Sequence, residues 1–219
     1  MRAVDRYAAA PLGDRLHVRV RWRSCPFAAV EAATPAEGRI LDLGCGHGLL
    51  ALLLALTGPA RAVTGGDLDA DKIAVARRAA VGSGDDPVAA SFLVGTALDV
   101  PTGPWDAVVV VDVLYLLDGG AQRRLVAAAA RELAPGGLLV VKEMSRTPRW
   151  KFAWNRVQEQ LAVRVLRITE GQDIEFLPDD ALPAALTGAG LDVVEDRRVD
   201  RGYLHPHRLV VARRPPTGA

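Results

Sequence analysis

The stretch Ile40-Leu41-Asp42-Leu43-Gly44-Cys45-Gly46-His47-Gly48-Leu49-Leu50 decides how this chain is read. Its first four residues have the character of a buried strand, and the apolar run from Leu49 to Leu56 that of a helix. Between them stand glycines at 44, 46 and 48. Lacking a Cβ, they permit a tight strand-to-helix turn and let a ligand lie against the backbone. Free N–H groups at the helix start favour a polar or anionic ligand group. The segment therefore reads as a cofactor loop.

Outward from this loop, short Val/Leu/Ile runs alternate with longer helical patterns from residue 38 on. That rhythm predicts a doubly wound α/β domain, with a mostly parallel sheet covered on both faces. Strands are predicted over 39–43, 61–67, 91–95, 107–112 and 138–143, and helices over 49–57, 70–81 and 122–134. After residue 143 the rhythm breaks. Trp150, Trp154, Val157, Leu161, Val165 and Ile168 then recur at helical spacing, predicting an amphipathic helix within an insertion at 145–177. The alternation resumes with a helix over 179–189 and strands over 191–199 and 208–213, joined by a turn at Gly202. Residues 1–37 form an N-terminal cap. Leu16, Val18, Val20 and Trp22 alternate with His17, Arg19, Arg21 and Arg23 as in a strand, but Leu12, Leu16 and Val20 equally fit a helix. A helical cap is the adopted reading, within one domain over 1–219.

Composition excludes several classes. With 27 basic and 26 acidic side chains in 219 residues, the net charge of +1 supplies no global field toward nucleic acid. Cys25 and Cys45 cannot make a disulfide framework, so a reducing cytoplasm is expected. Met1 to Tyr7 carries charges where a signal peptide needs an apolar core. The apolar run at 49–56 is far shorter than the ~20 residues of a membrane span. No metal site is read from the sequence.

The loop spacing is G-x-G-x-G, whereas a dinucleotide fingerprint needs G-x-G-x-x-G, and Leu49 stands where that loop wants a small residue. No Gly-Lys-Ser/Thr follows, which excludes a Walker loop. The run instead resembles motif I of class I S-adenosylmethionine-dependent methyltransferases. Val63-Thr64-Gly65-Gly66-Asp67-Leu68-Asp69 is similar to that family's second strand, ending in an acidic residue for the ribose hydroxyls. Gly95-Thr96-Ala97-Leu98-Asp99 resembles its Gly-Asp-Ala segment beside the adenine, with Thr96 where Asp is usual. Trp105-Asp106-Ala107 through Val113-Leu114-Tyr115-Leu116 resembles the fourth-strand motif, and Leu133-Ala134-Pro135-Gly136-Gly137-Leu138 the turn before strand five.

The resemblance implies a Rossmann-like fold with a seven-stranded, mostly parallel sheet, an antiparallel last strand and a helical lid. It implies S-adenosylmethionine as cofactor, held by Asp42, Gly44, Cys45, Gly46, Gly48, Asp67, Leu68, Thr96, Ala97 and Asp112. Gly46 and Gly48 would lie beside the amino-acid portion and Asp67 on the ribose. A carboxylate suits that place, since it accepts from both vicinal hydroxyls.

Methyl transfer from a sulfonium is an in-line displacement, and a base is needed only where the nucleophile has a proton to lose. Ligands of an open parallel sheet bind outside the carboxyl ends of the strands. That rim gathers Tyr115, Glu143 and the segment Arg201 to His207. Tyr115, His205 and His207 are the catalytic candidates, and Glu143, Trp150, Trp154 and Tyr203 the substrate-binding ones. The bland alternatives are that His205 and His207 only flank a Pro-containing turn, and that Glu143 caps a turn or pairs with an Arg. No Asn/Asp-Pro-Pro-Tyr/Phe follows strand four and no cysteine stands where a C5-cytosine enzyme needs one, which counts against nucleic acid. The aromatic insertion favours a small, partly hydrophobic or lipid-like acceptor. It could equally pack on the domain or form a homodimer contact. Its basic residues Arg146, Arg149, Lys151, Arg156, Arg164 and Arg167 could lie against anionic headgroups as a peripheral membrane contact. The alternatives to a methyltransferase are a noncatalytic protein that keeps the cofactor pocket, and an enzyme that uses the bound cofactor for another reaction.

Overall fold

A computed structural model describes residues 3–82, 88–145 and 180–216. The predicted lid, with Trp150 and Trp154, lies outside the described residues except for Ser145. A 3-10 turn (Ala3–Tyr7) and helices α1 (Leu12–Ser24) and α2 (Phe27–Ala33) precede strand β1 (Glu37–Leu43). Then follow α3 (Leu49–Thr57), β2 (Ala60–Asp67), α4 (Ala70–Val81), β3 (Ala90–Val94) and β4 (Trp105–Val111). The chain continues through α5 (Gly119–Glu132), β5 (Leu133–Met144), a helix numbered α6 (Ala181–Gly188), β6 (Asp192–Arg198) and β7 (His207–Arg213).

The sheet has seven strands in the order β3-β2-β1-β4-β5-β7-β6. β1 to β5 run parallel, and β7 lies antiparallel between β5 and β6. Strand residues alternate between two cores. Ile40, Val109, Val140 and Val211 pack with Val18, Phe27, Leu50 and Ile73, while Leu41, Val108, Leu139 and Val210 pack with Leu125, Val126 and Leu182. Residues buried on both faces explain why these strands read as continuous apolar runs.

Two local signals set helix starts where the sequence predicts them. Gly48 takes φ +76° ahead of α3, and Asp69 accepts from the N–H groups of Asp71 and Lys72 at the head of α4. β5 differs from expectation. It begins at Leu133 rather than 138, because Leu133 pairs with Trp105 before the register shifts at Pro135-Gly136-Gly137.

The N-terminal cap is helical. The stripe Leu12, Leu16 and Val20, which fits a helix in the sequence, is 76%, 62% and 57% exposed, whereas Val18 is buried. The helix turns Asp14, His17, Val18 and Arg21, at i, i+3, i+4 and i+7, toward the domain instead.

Candidate cofactor and acceptor site

At the carboxyl ends of β1, β2 and β4 lies a cavity of about 550 Å³, within the ~300–1,000 Å³ range of small-molecule sites. The glycine loop forms its floor. Gly44 and Cys45 N–H donate to Gly66 O at 2.8 and 3.0 Å, and Gly46 N–H donates to Asp67 Oδ2 at 2.8 Å. Asp67 Oδ1 accepts from Asp69 N–H at 3.0 Å. Each carboxylate oxygen can accept twice, so Asp67 keeps acceptor capacity for a ligand hydroxyl.

Of the residues expected to hold the cofactor, Asp42, Gly44, Cys45, Gly46, Asp67, Leu68, Thr96, Ala97 and Asp112 line the cavity. Gly46 takes φ +54°, and a Cβ added there would meet nothing within 4 Å, so its backbone is open to close approach. Gly48 does not line the cavity. A Cβ there would press on Phe92 and Ala76, so this glycine is required by packing beneath the loop.

Asp42 is buried, and its Oδ2 meets no hydrogen-bond partner among the described residues. Burial, then the neighbouring Asp67, raises its pKa to about 7. An orphaned buried acceptor facing a cavity is suited to a polar, cationic ligand group. Burial, followed by Asp42 and Asp67, pushes the Cys45 thiol far up, which keeps it neutral and unreactive. Thr96 donates its hydroxyl to Asp99 Oδ2 at 2.8 Å. A carboxylate thus stands close to the position where the family's usual Asp is missing.

Asp112 takes φ +55° directly after β4. Lys142 Nζ donates to its two oxygens at 2.6 and 2.7 Å, and Arg21 approaches Oδ2 at 2.6 Å. Burial alone would raise this carboxyl, but Lys142 and Arg21 outweigh it and hold it below the usual range. Asp112 is thereby ionised and fixed in place as cavity wall.

Glu143 lies one residue further on β5 but points to the other face of the sheet. Its Oε1 accepts from Val113 and Leu114 N–H at 3.0 and 2.8 Å, which shapes the turn carrying Tyr115. It does not line the cavity, so its place is under the wall rather than against a substrate. Burial, then Asp112, raises its pKa well above the ordinary 4.5. A raised carboxyl contributes stability that is full below the unfolded value and lost as pH rises through the folded one. Glu143→Gln keeps the acceptor and cannot ionise. In urea titrations it should match the parent at pH 5 and exceed it at pH 9 by about 1–3 kcal/mol; equal losses at both values would exclude this account.

Tyr115 lines the cavity. The histidine turn is set apart from it. His207 is buried, its Nε2 lies 2.9 Å from Ser24 O, and burial followed by Lys142 lowers its pKa to about 3. It serves to fasten β7 to the end of α1. Tyr203 meets the His207 ring edge-on at 5.5 Å, and neither it, His205 nor His207 lines the cavity. His205 Nδ1 is buried without a partner among the described residues.

Sequence reasoning missed His17, Arg21, Phe27, His47 and Lys72, all of which line the cavity, and Lys142, which orders its wall. His17 and Arg21 carried a usable signal: with Asp14 they form a polar stripe at helical spacing, flanked by apolar residues.

The methyltransferase-domain family matches residues 17–196 of this chain. A demethylmenaquinone methyltransferase of Thermus thermophilus is 33% identical over 191 residues, 80% of this chain and 82% of that protein. A ubiquinone biosynthesis O-methyltransferase of a Caulobacter species is 32% identical over 73% of this chain, which spans only 62% of that protein's length. The magnesium protoporphyrin IX methyltransferase of Synechocystis, solved with bound SAH, has the same fold, with TM-score 0.66 at 19% identity, over 86% of this chain and 80% of that one. The glycine floor, the carboxylate at the end of β2 and the match over most of the chain have one explanation: the chain belongs to the methyltransferase-domain family and is a class I S-adenosylmethionine-dependent methyltransferase.

Proposed function

We propose that this protein methylates a small, partly hydrophobic acceptor, and that the two sides of the cavity divide the work. The carrying observation is the contrast in lining. β1, the glycine loop, β2 and α4 contribute Asp42, Gly46, Asp67 and Lys72, while α1, α2 and the turn after β4 contribute Val18, Phe27, Val113, Leu116 and Leu117 beside the polar His17, Arg21 and Tyr115. The first set fits the cofactor. Asp67 would accept from the ribose hydroxyls, Leu68 and Ala97 would flank the adenine, and the cationic Arg21 would face the carboxylate. S-adenosylmethionine supplies an electrophilic methyl carbon on a sulfonium.

The second set fits an apolar acceptor, and the relatives' names, ubiquinone biosynthesis and demethylmenaquinone, point the same way. Burial of apolar acceptor surface against these side chains would contribute about 25 cal/mol per Å². It would also exclude water from the line of transfer. Tyr115 carries the hydroxyl in this wall, and it would orient an acceptor hydroxyl or pass on its proton. His207 has its Nε2 engaged with Ser24, and neither it nor His205 lines the cavity. Asp112 and Glu143 act through the wall by fixing the turn that carries Tyr115.

The test is incubation of the full chain with methyl-labelled S-adenosylmethionine and a panel of catechols and hydroquinones with short and long apolar tails, read by mass spectrometry. Methylated product from tailed acceptors is expected. Tyr115→Phe should lower kcat by about tenfold or more with the cofactor dissociation constant unchanged. Cofactor binding without product from any acceptor would favour a noncatalytic methyltransferase fold, and an unchanged kcat in Tyr115→Phe would remove that residue from the chemistry.

A further inference from the structure

The glycine loop is held from two directions. Gly44, Cys45 and Gly46 donate to Gly66 O and Asp67 of β2. His47 is held instead by the N-terminal cap. Its carbonyl accepts from the buried Tyr7 hydroxyl at 2.6 Å, its Nε2 lies 3.1 Å from Asp14 Oδ1, and its ring stacks 4.8 Å from that of His17. His47 is 9% exposed, and both His17 and His47 line the cavity. Seven residues beyond Asp14, Arg21 pairs with Asp112 across the site. α1 is therefore fastened to the loop and to the end of β4, besides burying Val18 in the core and offering Ser24 O to His207. Its outer face adds no apolar hold among the described residues, since Leu12, Leu16 and Val20 are exposed.

From this arrangement we infer that Asp14 and His47 are positioning residues which latch α1 onto the glycine loop, so that an ordered α1 and a bound S-adenosylmethionine stabilise each other. The two groups lie 33 residues apart in sequence. The contact is made only when the cap is folded down, and the loop that carries His47 is the one that carries the cofactor. Any ligand that favours the folded-down cap must in turn be favoured by it, because coupling between two equilibria is reciprocal. Asp14 and His47 touch the cofactor through the loop's geometry rather than by direct chemistry. Breaking the latch should weaken affinity without removing the site.

The experiment uses the full chain and S-adenosylhomocysteine as the probe. Asp14→Ala should weaken its dissociation constant about fivefold, the size of one hydrogen bond. His47→Ala should do the same. The double variant should be no weaker than either single one, because both remove the same contact. Asp14→Asn retains the accepting oxygen and should bind within twofold of the parent. Tryptic cleavage after Arg15 and Arg19 should be slowed by S-adenosylhomocysteine in the parent and much less in Asp14→Ala. A merely structural Asp14 would lower thermal stability and leave the probe's affinity and this protection unchanged. Unchanged affinity in Asp14→Ala, multiplicative losses in the double variant, or no rescue by Asn would each overturn the latch.

Discussion

Asp67→Ala should lose S-adenosylhomocysteine binding by about 100-fold or more while the protein stays folded. The size follows from what the carboxylate does. It accepts from Gly46 and Asp69 N–H and so ties the loop to the end of β2, and on the proposed reading its remaining lone pairs would accept from vicinal hydroxyls. Hydrogen bonds to a charged group are worth about 1.5–3 kcal/mol each, so the loss of two to a ligand reaches the hundredfold range. Asp67→Asn keeps one accepting oxygen and should fall between parent and Ala. Isothermal titration gives the affinity, and a thermal melt in the absence of ligand checks the fold. A loss of less than tenfold in Asp67→Ala would mean that the ribose is held elsewhere.

Lys142→Met carries the largest expected effect on stability. Lys142 is fully buried, and both oxygens of Asp112 accept from its ammonium. Removing one partner of a buried ion pair leaves the other uncompensated, which costs about 3–5 kcal/mol. Arg21 remains, but its side chain is one-third exposed and reaches only Oδ2. The urea midpoint of Lys142→Met should therefore drop steeply. Adding Asp112→Asn should restore part of the loss. The amide needs no counter-charge, and Asn tolerates the left-handed backbone that Asp112 adopts. If the double variant were less stable than Lys142→Met, the ion pair would not be the cause.

These two residues also show where the sequence was readable. Asp67 was found because the motif is local: strand, glycine loop, second strand and carboxylate occur in a fixed order, and each has its own residue signature. Helices α3 and α4 were predicted to their ends for the same reason, since their starts are set by Gly48 and by the Asp69 cap. Lys142 was invisible. It sits in an apolar strand and gains its role only because β4 and β5 lie side by side, which brings it to Asp112 from 30 residues away. Glu143, next to it, reads in sequence as a substrate ligand, a turn cap or an Arg partner. The pleat sends it to the opposite face, under the turn at Val113 and Leu114. The histidines were judged by chemical type. Only the packing of β7 against the end of α1 shows that His207 is spent on Ser24.

The sequence by itself determined the fold class and the floor of the site, because strand alternation, glycine spacing and helix caps are properties of neighbouring residues, and the resemblance of its ordered motifs to a known family implied the methyl donor. Only the tertiary structure decided what surrounds that floor. α1 turns His17 and Arg21 onto the cavity, His47 is latched by Asp14, and Asp112 is fixed between Arg21 and Lys142. These contacts join residues 30 and more positions apart in sequence. Their strength comes from burial, which raises the cost of an unpaired charge and the value of a paired one, and burial exists only once the sheet and its cap have closed together.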